Sequence, residues 1–450
     1  MSFSFSFIQH TILFIFIFFF IYNCNIVYSS TAFVAPITRD PSTELYTIFI
    51  SSKTPLQPTN LLLDLGGKFT WFDCTPESYT STTHHYIPCG TSLCISLTSL
   101  ACSNCFRQSG PGCHNNSCAL FPENPVIKNS VLAQALVDSV ALTVTNGRNP
   151  VGQMGLVPNF VGSCSDNSLL RGLPDGVSGL AGLGRSNYSL PAQVSSVYAS
   201  PNIFALCLPG VSSASSGAAF FNTGGPYYFL PGIDLSSHLI YTPLILNPVG
   251  FTIITYYGHP SDEYFINVTS ININGKPVEF SHSLLTIDES GFGGARLSTV
   301  TPYTTLETSI YNAFVQVFVN ESAALNLTAT DPVSPFEVCY AASDVYSTPL
   351  GPAFPVIDLV MHSEDVFWRI AGANSMVSVA REDEEGGDVW CLGFVDGGEK
   401  PRSSVVIGGH QMEDNLLQFD LVSMRLGFTS SVLVHDTNCA SFNFTDDPGV

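Results

Sequence analysis

The chain has 450 residues, a formal charge of −21, 11% charged residues and 45% hydrophobic ones. That length exceeds a single core and points to two domains, while the apolar fraction excludes a disordered chain. The acidic balance argues against nucleic acid or an anionic membrane as partner.

Residues 1–29 read as a secretory signal peptide. The apolar stretch 11–22 carries no charge, Asn23 and Asn25 end it, and Val27 and Ser29 stand at positions −3 and −1 of a small-residue cleavage site. A membrane anchor would need a longer apolar run, ~20 residues. Of thirteen cysteines, Cys24 leaves with this segment. The other twelve are Cys74, Cys89, Cys94, Cys102, Cys105, Cys113, Cys118, Cys164, Cys207, Cys339, Cys391 and Cys439, an even number that predicts six disulfides in a secreted chain. Cys102, Cys105, Cys113 and Cys118, near His84, His85 and His114, have spacings that a zinc site could use. An oxidising compartment favours disulfides instead, so neither a metal nor a cofactor is expected. Candidate N-glycosylation sites at Asn115, Asn187, Asn267, Asn320, Asn326 and Asn443 agree with secretion.

In chain order, β-type runs occupy 46–51, 61–64, 138–145, 264–273 and 405–407, separated by Gly, Pro, Asn and Ser, which predicts a mostly β protein. Helices are expected over 190–198, behind the capping candidate Ser189, and over 308–320, where Ile310, Phe314, Val317 and Phe318 share a face. The halves echo one another. The apolar run 61–63 leads to Asp64-Leu65-Gly66-Gly67, and 295–297 leads to Ser298-Thr299-Val300. Each is followed by a glycine-containing apolar segment, 176–184 and 404–409, of the kind that passes beneath a close-packed turn. A Gly/Pro/Tyr/Ser stretch at 224–237 reads as the linker, giving domains 30–236 and 237–450.

Three features together resemble the pepsin-like fold in its plant form. They are the Asp64 turn with Trp71 and Cys74, the 175–184 segment with Arg185 and Ser189-Leu190-Pro191, and 405–409 leading into 415–421 and 425–428. Within that fold, 121–125, 297–307, 407–415 and 439–444 are similar to a non-proteolytic branch. It holds extracellular dermal glycoprotein, the basic 7S globulins, xyloglucan-specific endoglucanase inhibitor proteins and the cereal xylanase inhibitors. The resemblance implies a bilobal, mostly β molecule with few short helices, secreted to the apoplast or cell wall. It also implies a role in plant defence, binding and inhibiting microbial cell-wall glycoside hydrolases. It further implies disulfides Cys339–Cys391 and Cys207–Cys439.

Aspartic proteolysis needs two carboxylates sharing one proton. By the resemblance Asp64 stands at the first of these positions and Ser298 at the second, where a hydroxyl cannot take that role. Asp64 then reads as a vestigial acid that preserves a turn, and 125–129, matching the hairpin over the cleft of active enzymes, lacks their tyrosine. Inhibitory contact falls instead to Arg402 and His435. An arginine at the place of Arg402 enters the target cleft in the endoglucanase-inhibitor branch, where a guanidinium can bridge two catalytic carboxylates ~5 Å apart. Its bland alternative is a solvated loop arginine. His435 matches the histidine of xylanase inhibitors, but Asp436 stands where those have an aromatic residue, so an endoglucanase is the favoured target. The competing readings are a residual aspartic endopeptidase using Asp64 with another acid, and a storage or peptide-binding globulin.

Overall fold

Buried positions in the strands Tyr46–Ser52 and Gln57–Asp64 place Ile48, Leu61 and Leu63 in one core, and the two strands pair antiparallel. The structure, a computed structural model, describes residues 31–210, 215–250, 259–381 and 387–445; the expected signal peptide at 1–29 lies outside them. Strands dominate, as the β-type runs predict.

The echo between the halves is one arrangement of strands built twice. In the first half Gln57–Asp64 runs parallel to Gly179–Gly182, which is antiparallel to Trp71–Asp73, which in turn is parallel to Pro150–Ser165. In the second, Ala295–Leu297 runs parallel to Val405–Ile407, which is antiparallel to Thr304–Leu306, which is parallel to Phe394–Asp396. Both glycine segments therefore cross their turns as expected, and glycine is required there. A Cβ on Gly182 would lie 2.6 Å from the Phe69 carbonyl oxygen, and one on Gly408 would lie 2.4 Å from the Tyr303 carbonyl carbon.

Several contacts join the halves, among them a strand pairing and a buried polar knot. Ile203–Cys207 pairs antiparallel with Leu416–Asp420, stacking Phe204 on Phe419 with centroids 4.7 Å apart. Beside this platform lies a buried polar knot. Tyr46 Oη donates to Glu413 Oε1 at 2.7 Å, Arg39 Nε lies 3.0 Å from the same oxygen, and His410 Nδ1 lies 3.1 Å from Oε2. The buried Tyr46 and His410 and the partly buried Arg39 surround one buried carboxylate, so its charge is compensated within the fold.

The disulfides are Cys74–Cys164, Cys89–Cys102, Cys94–Cys118, Cys105–Cys113, Cys207–Cys439 and Cys339–Cys391. They include both pairs implied by the resemblance, and they consume every cysteine weighed for zinc. Among the described residues no cluster of His, Cys, Asp and Glu could hold a metal, and no helix is long and apolar enough to cross a membrane.

The structure departs from the expected elements in three places. The 264–273 run is two strands, Phe265–Ile266 and Ser270–Ile273, because the first pairs with Ala295–Leu297 and the second with Ile357–Val360 in a separate sheet. The helix expected at 308–320 continues through Ala324, with Ile310, Phe314 and Phe318 fully buried and Glu307 capping it through Ser309 N and Ile310 N. Ser189 precedes the helix Leu190–Val197 without capping it; its hydroxyl donates to the Ser186 carbonyl at 2.9 Å.

Candidate functional site

Asp64 closes its strand and turns into Gly66-Gly67, and its Oδ1 accepts from Gly66 N at 2.8 Å. Ser298 occupies the matching turn of the second half, where its backbone N donates to Ile407 O at 2.9 Å and its hydroxyl lies 2.9 Å from that of Thr301. Thr299 fastens the two turns together. Its Oγ1 donates to Leu63 O at 2.7 Å and accepts from Leu65 N at 3.1 Å. The lock is one-sided, because Leu65, the counterpart of Thr299 in the first turn, has no hydroxyl to return the bond.

The acid that accompanies Asp64 is one that the sequence does not single out. Glu263 and Asp64 both flank Gly66, with Glu263 Cγ 3.3 Å and Asp64 Oδ1 3.5 Å from where a Cβ would stand. Glu263 is committed elsewhere: its Oε1 lies 2.8 Å from Arg296 Nη1. Asp64 is only 7% exposed. Burial lifts its pKa to about 6, the Gly66 N–H bond opposes the rise, and the nearby Glu263 charge adds to it. The centre thus holds one reluctant carboxylate, one ion-paired carboxylate and one neutral hydroxyl. Aspartic proteolysis rests on two carboxylates that share a proton; here the carboxylate beside Gly66 with Asp64 is paired with Arg296. Residues 125–128 form the turn between Glu123–Asn124 and Asn129–Ser130, held by Asn124 Oδ1 accepting from Val126 N and Ile127 N.

Arg402 is neither fully solvated nor projecting freely. Its Nη2 donates to the Val249 carbonyl, its guanidinium carbon lies 5.9 Å from the centre of the Phe292 ring, and its backbone carbonyl accepts from Gly293 N at 2.8 Å. Glu263 and Asp288 act on its charge from nearby, as does Arg296, and partial burial draws its pKa down. Two loops, 247–249 and 288–293, therefore hold the guanidinium, and Glu263 is among the acids that act on its charge.

His435 ends the short turn Val432–His435, and its ring packs on that of His238 with centroids 3.9 Å apart. Burial, with the His238 charge added, pulls its pKa below the ordinary histidine value. Of the six candidate glycosylation sites, Asn115, Asn187, Asn320 and Asn326 are exposed, and Asn267 and Asn443 are partly so.

Glu263 and Arg296 carried no signal in the sequence because they meet only through the pairing of Phe265 with Arg296 across two strands. Thr299 was legible as part of the second turn, but its grip on Leu63 and Leu65 was not.

Residues 46–222 match the family model described as xylanase inhibitor N-terminal, and residues 263–430 match xylanase inhibitor C-terminal. A protein of Glycine max named "Probable aspartic proteinase GIP1" is 54% identical over 409 residues, covering 91% of each chain. The crystal structure of EDGP is 46% identical, with a TM-score of 0.88, covering 92% of this chain and 98% of that one. The crystal structure of basic 7S globulin from soybean is 32% identical, with a TM-score of 0.77, covering 93% and 100%. The internally doubled strand arrangement and these matches have one reading: the chain belongs to the xylanase-inhibitor family of pepsin-like, aspartic-protease-like proteins.

Proposed function

We propose that this protein is a secreted, catalytically inactive pepsin-like protein that binds and inhibits a microbial cell-wall glycoside hydrolase, with a xyloglucan-specific endoglucanase favoured over a xylanase. The observation that carries the reading is the guanidinium of Arg402, held by the Val249 carbonyl and beside Phe292, with the ion-paired Glu263 acting on its charge. Membership of a family named for xylanase inhibition supports a hydrolase as the partner.

Arg402 is the contact of this reading. Orientation by Val249 and Phe292 lowers the ordering cost of presenting it. On binding, the partner's paired carboxylates replace the Val249 carbonyl, and charge-assisted bonds are stronger than a neutral one. His435 is the lesser contact, since its ring is packed on His238 and Asp436 brings a negative charge toward the partner's glutamates. The reading includes cleavage of the 1–29 signal peptide, lobes at 30–236 and 237–450, glycosylation on the exposed asparagines and residence in the apoplast.

Immobilised protein exposed separately to a microbial xyloglucan-specific endoglucanase and a xylanase at mildly acidic pH tests this. Retention of the endoglucanase is expected. Retention of neither enzyme would refute the proposal, and retention of the xylanase alone would reverse the order of targets.

A further inference from the structure

The geometry points to a second docking surface for the same hydrolase, a disulfide-stapled knob in the first half with Phe106 at its tip; this rests on the inhibitor reading above. Between Glu77 and Glu123 the chain has no Asp or Glu, although it carries 36 acids in all. The same stretch holds Arg107 and three histidines, His84, His85 and His114. On a chain of charge −21, it is a place where an acidic partner approaches without meeting a carboxylate from the segment it touches.

The stretch also carries strongly exposed apolar side chains. Phe106 is 97% exposed, Ile95 69% and Leu100 60%. Single exposed hydrophobics are ordinary. Three on one cross-linked segment, beside an arginine and free of acids, have the composition of an interface centre.

This surface is pre-ordered. Cys89–Cys102, Cys94–Cys118 and Cys105–Cys113 staple it. The loop carrying Phe106 is closed by Gly110 N donating to Cys113 O at 3.2 Å and Cys113 N to Gly110 O at 2.9 Å. Its shoulders are held by Cys105 N on Asn115 Oδ1 at 3.2 Å and Asn116 N on Asn104 Oδ1 at 2.8 Å. Much of the entropy that binding would otherwise cost is therefore already lost on folding.

The knob connects to the Asp64 turn. Lys68 Nζ donates to Thr98 Oγ1 at 2.7 Å, tying the turn after Asp64 to the end of the helix Ser92–Ser96 that bears Ile95. In the same turn Gly66 meets Glu263, whose charge acts on Arg402. The segment after Ile95 is thus tied to the Asp64 turn, and Glu263, which packs on the same turn, is an acid whose charge acts on Arg402. A glycoside hydrolase suits both: its cleft offers paired carboxylates to the cations and aromatic, apolar walls to Phe106.

Binding of the xyloglucan-specific endoglucanase to wild type, Phe106→Asp, Ile95→Asp, Arg402→Glu and the distant control Tyr346→Asp decides the matter. Phe106 and Tyr346 are both largely exposed, so neither substitution disturbs a core, and unchanged melting temperatures confirm this. Phe106→Asp is expected to weaken binding by ~30-fold or more, the loss of a hot-spot residue, and Ile95→Asp in the same direction, with Tyr346→Asp unchanged. If Arg402→Glu weakens binding while Phe106→Asp and Ile95→Asp do not, the knob is excluded and the inhibitor reading stands. If the wild type binds no hydrolase, both fall.

Discussion

Replacing Asp64 by asparagine tests the electrostatics of the centre directly. Asp64 is 7% exposed, and its pKa rises from the ordinary 3.8 to about 6 in the fold. The unfolded chain therefore releases this proton at lower pH than the fold does. Between these two values the fold holds a proton that the unfolded chain has lost, so stability rises as pH falls through about 6 and the gain is complete below 3.8. Above 6 the ionised, buried carboxylate costs the fold ~3 kcal/mol, two pKa units and a fraction at 1.36 kcal/mol each. Asparagine keeps the shape and the oxygen that accepts from Gly66 N, but its amide replaces an acceptor oxygen with a donor, which returns ~1 kcal/mol. Asp64→Asn is therefore expected to be more stable than wild type by ~2 kcal/mol at pH 7.5, with the advantage gone or reversed at pH 4. Denaturant unfolding of both proteins from pH 4 to 8 measures this. The difference between them isolates Asp64 from Asp414, whose pKa burial also lifts to about 6. A difference that stays constant across the range would refute the assignment of a raised pKa to Asp64.

Other perturbations have equally definite outcomes. Glu413→Ala strands Arg39, Tyr46 and His410 around an empty centre and should destabilise the protein by ~3–5 kcal/mol in denaturant unfolding; no loss would show that the knot is not a working contact between the halves. Thr299→Val removes the only side-chain bonds tying the two turns at Leu63 and Leu65 among those described here, and a loss of ~2–3 kcal/mol is expected, against ~1 kcal/mol or less for Ser298→Ala, whose hydroxyl meets only Thr301. Incubation with a denatured protein substrate at about pH 4–5, where an unperturbed carboxyl pair would share a proton, should give no cleavage; cleavage that disappears in Asp64→Asn would establish a working acid pair and overturn the inactive reading.

Much of the fold was legible because its signals are local. Glycine segments at 176–184 and 404–409 mark turns whose crowding no side chain tolerates, and the helix around Ile310, Phe314 and Phe318 shows its buried face in its spacing. The end of that helix was not legible, since Glu321 to Ala324 carry no stop signal and continuation is settled by packing. Nor was the break in 264–273, because a strand's partner lies far off in sequence: Ile357–Val360 claims one piece and Ala295–Leu297 the other. At the site, Asp64 and Ser298 could be aligned by the echo of the halves. The Glu263–Arg296 pair and the tether of Arg402 to Val249 depend on register and loop packing, which composition and spacing do not carry.

Inhibition of a xyloglucan-specific endoglucanase by wild type and by Arg402→Glu, with both shown to be folded by their melting temperatures, tests the central claim most directly. The account predicts stoichiometric inhibition by the wild type and its loss on charge reversal, because a carboxylate would then face the enzyme's own carboxylates. Equal inhibition by the two proteins would remove Arg402 from the interface, and no inhibition by the wild type would contradict the proposed function itself.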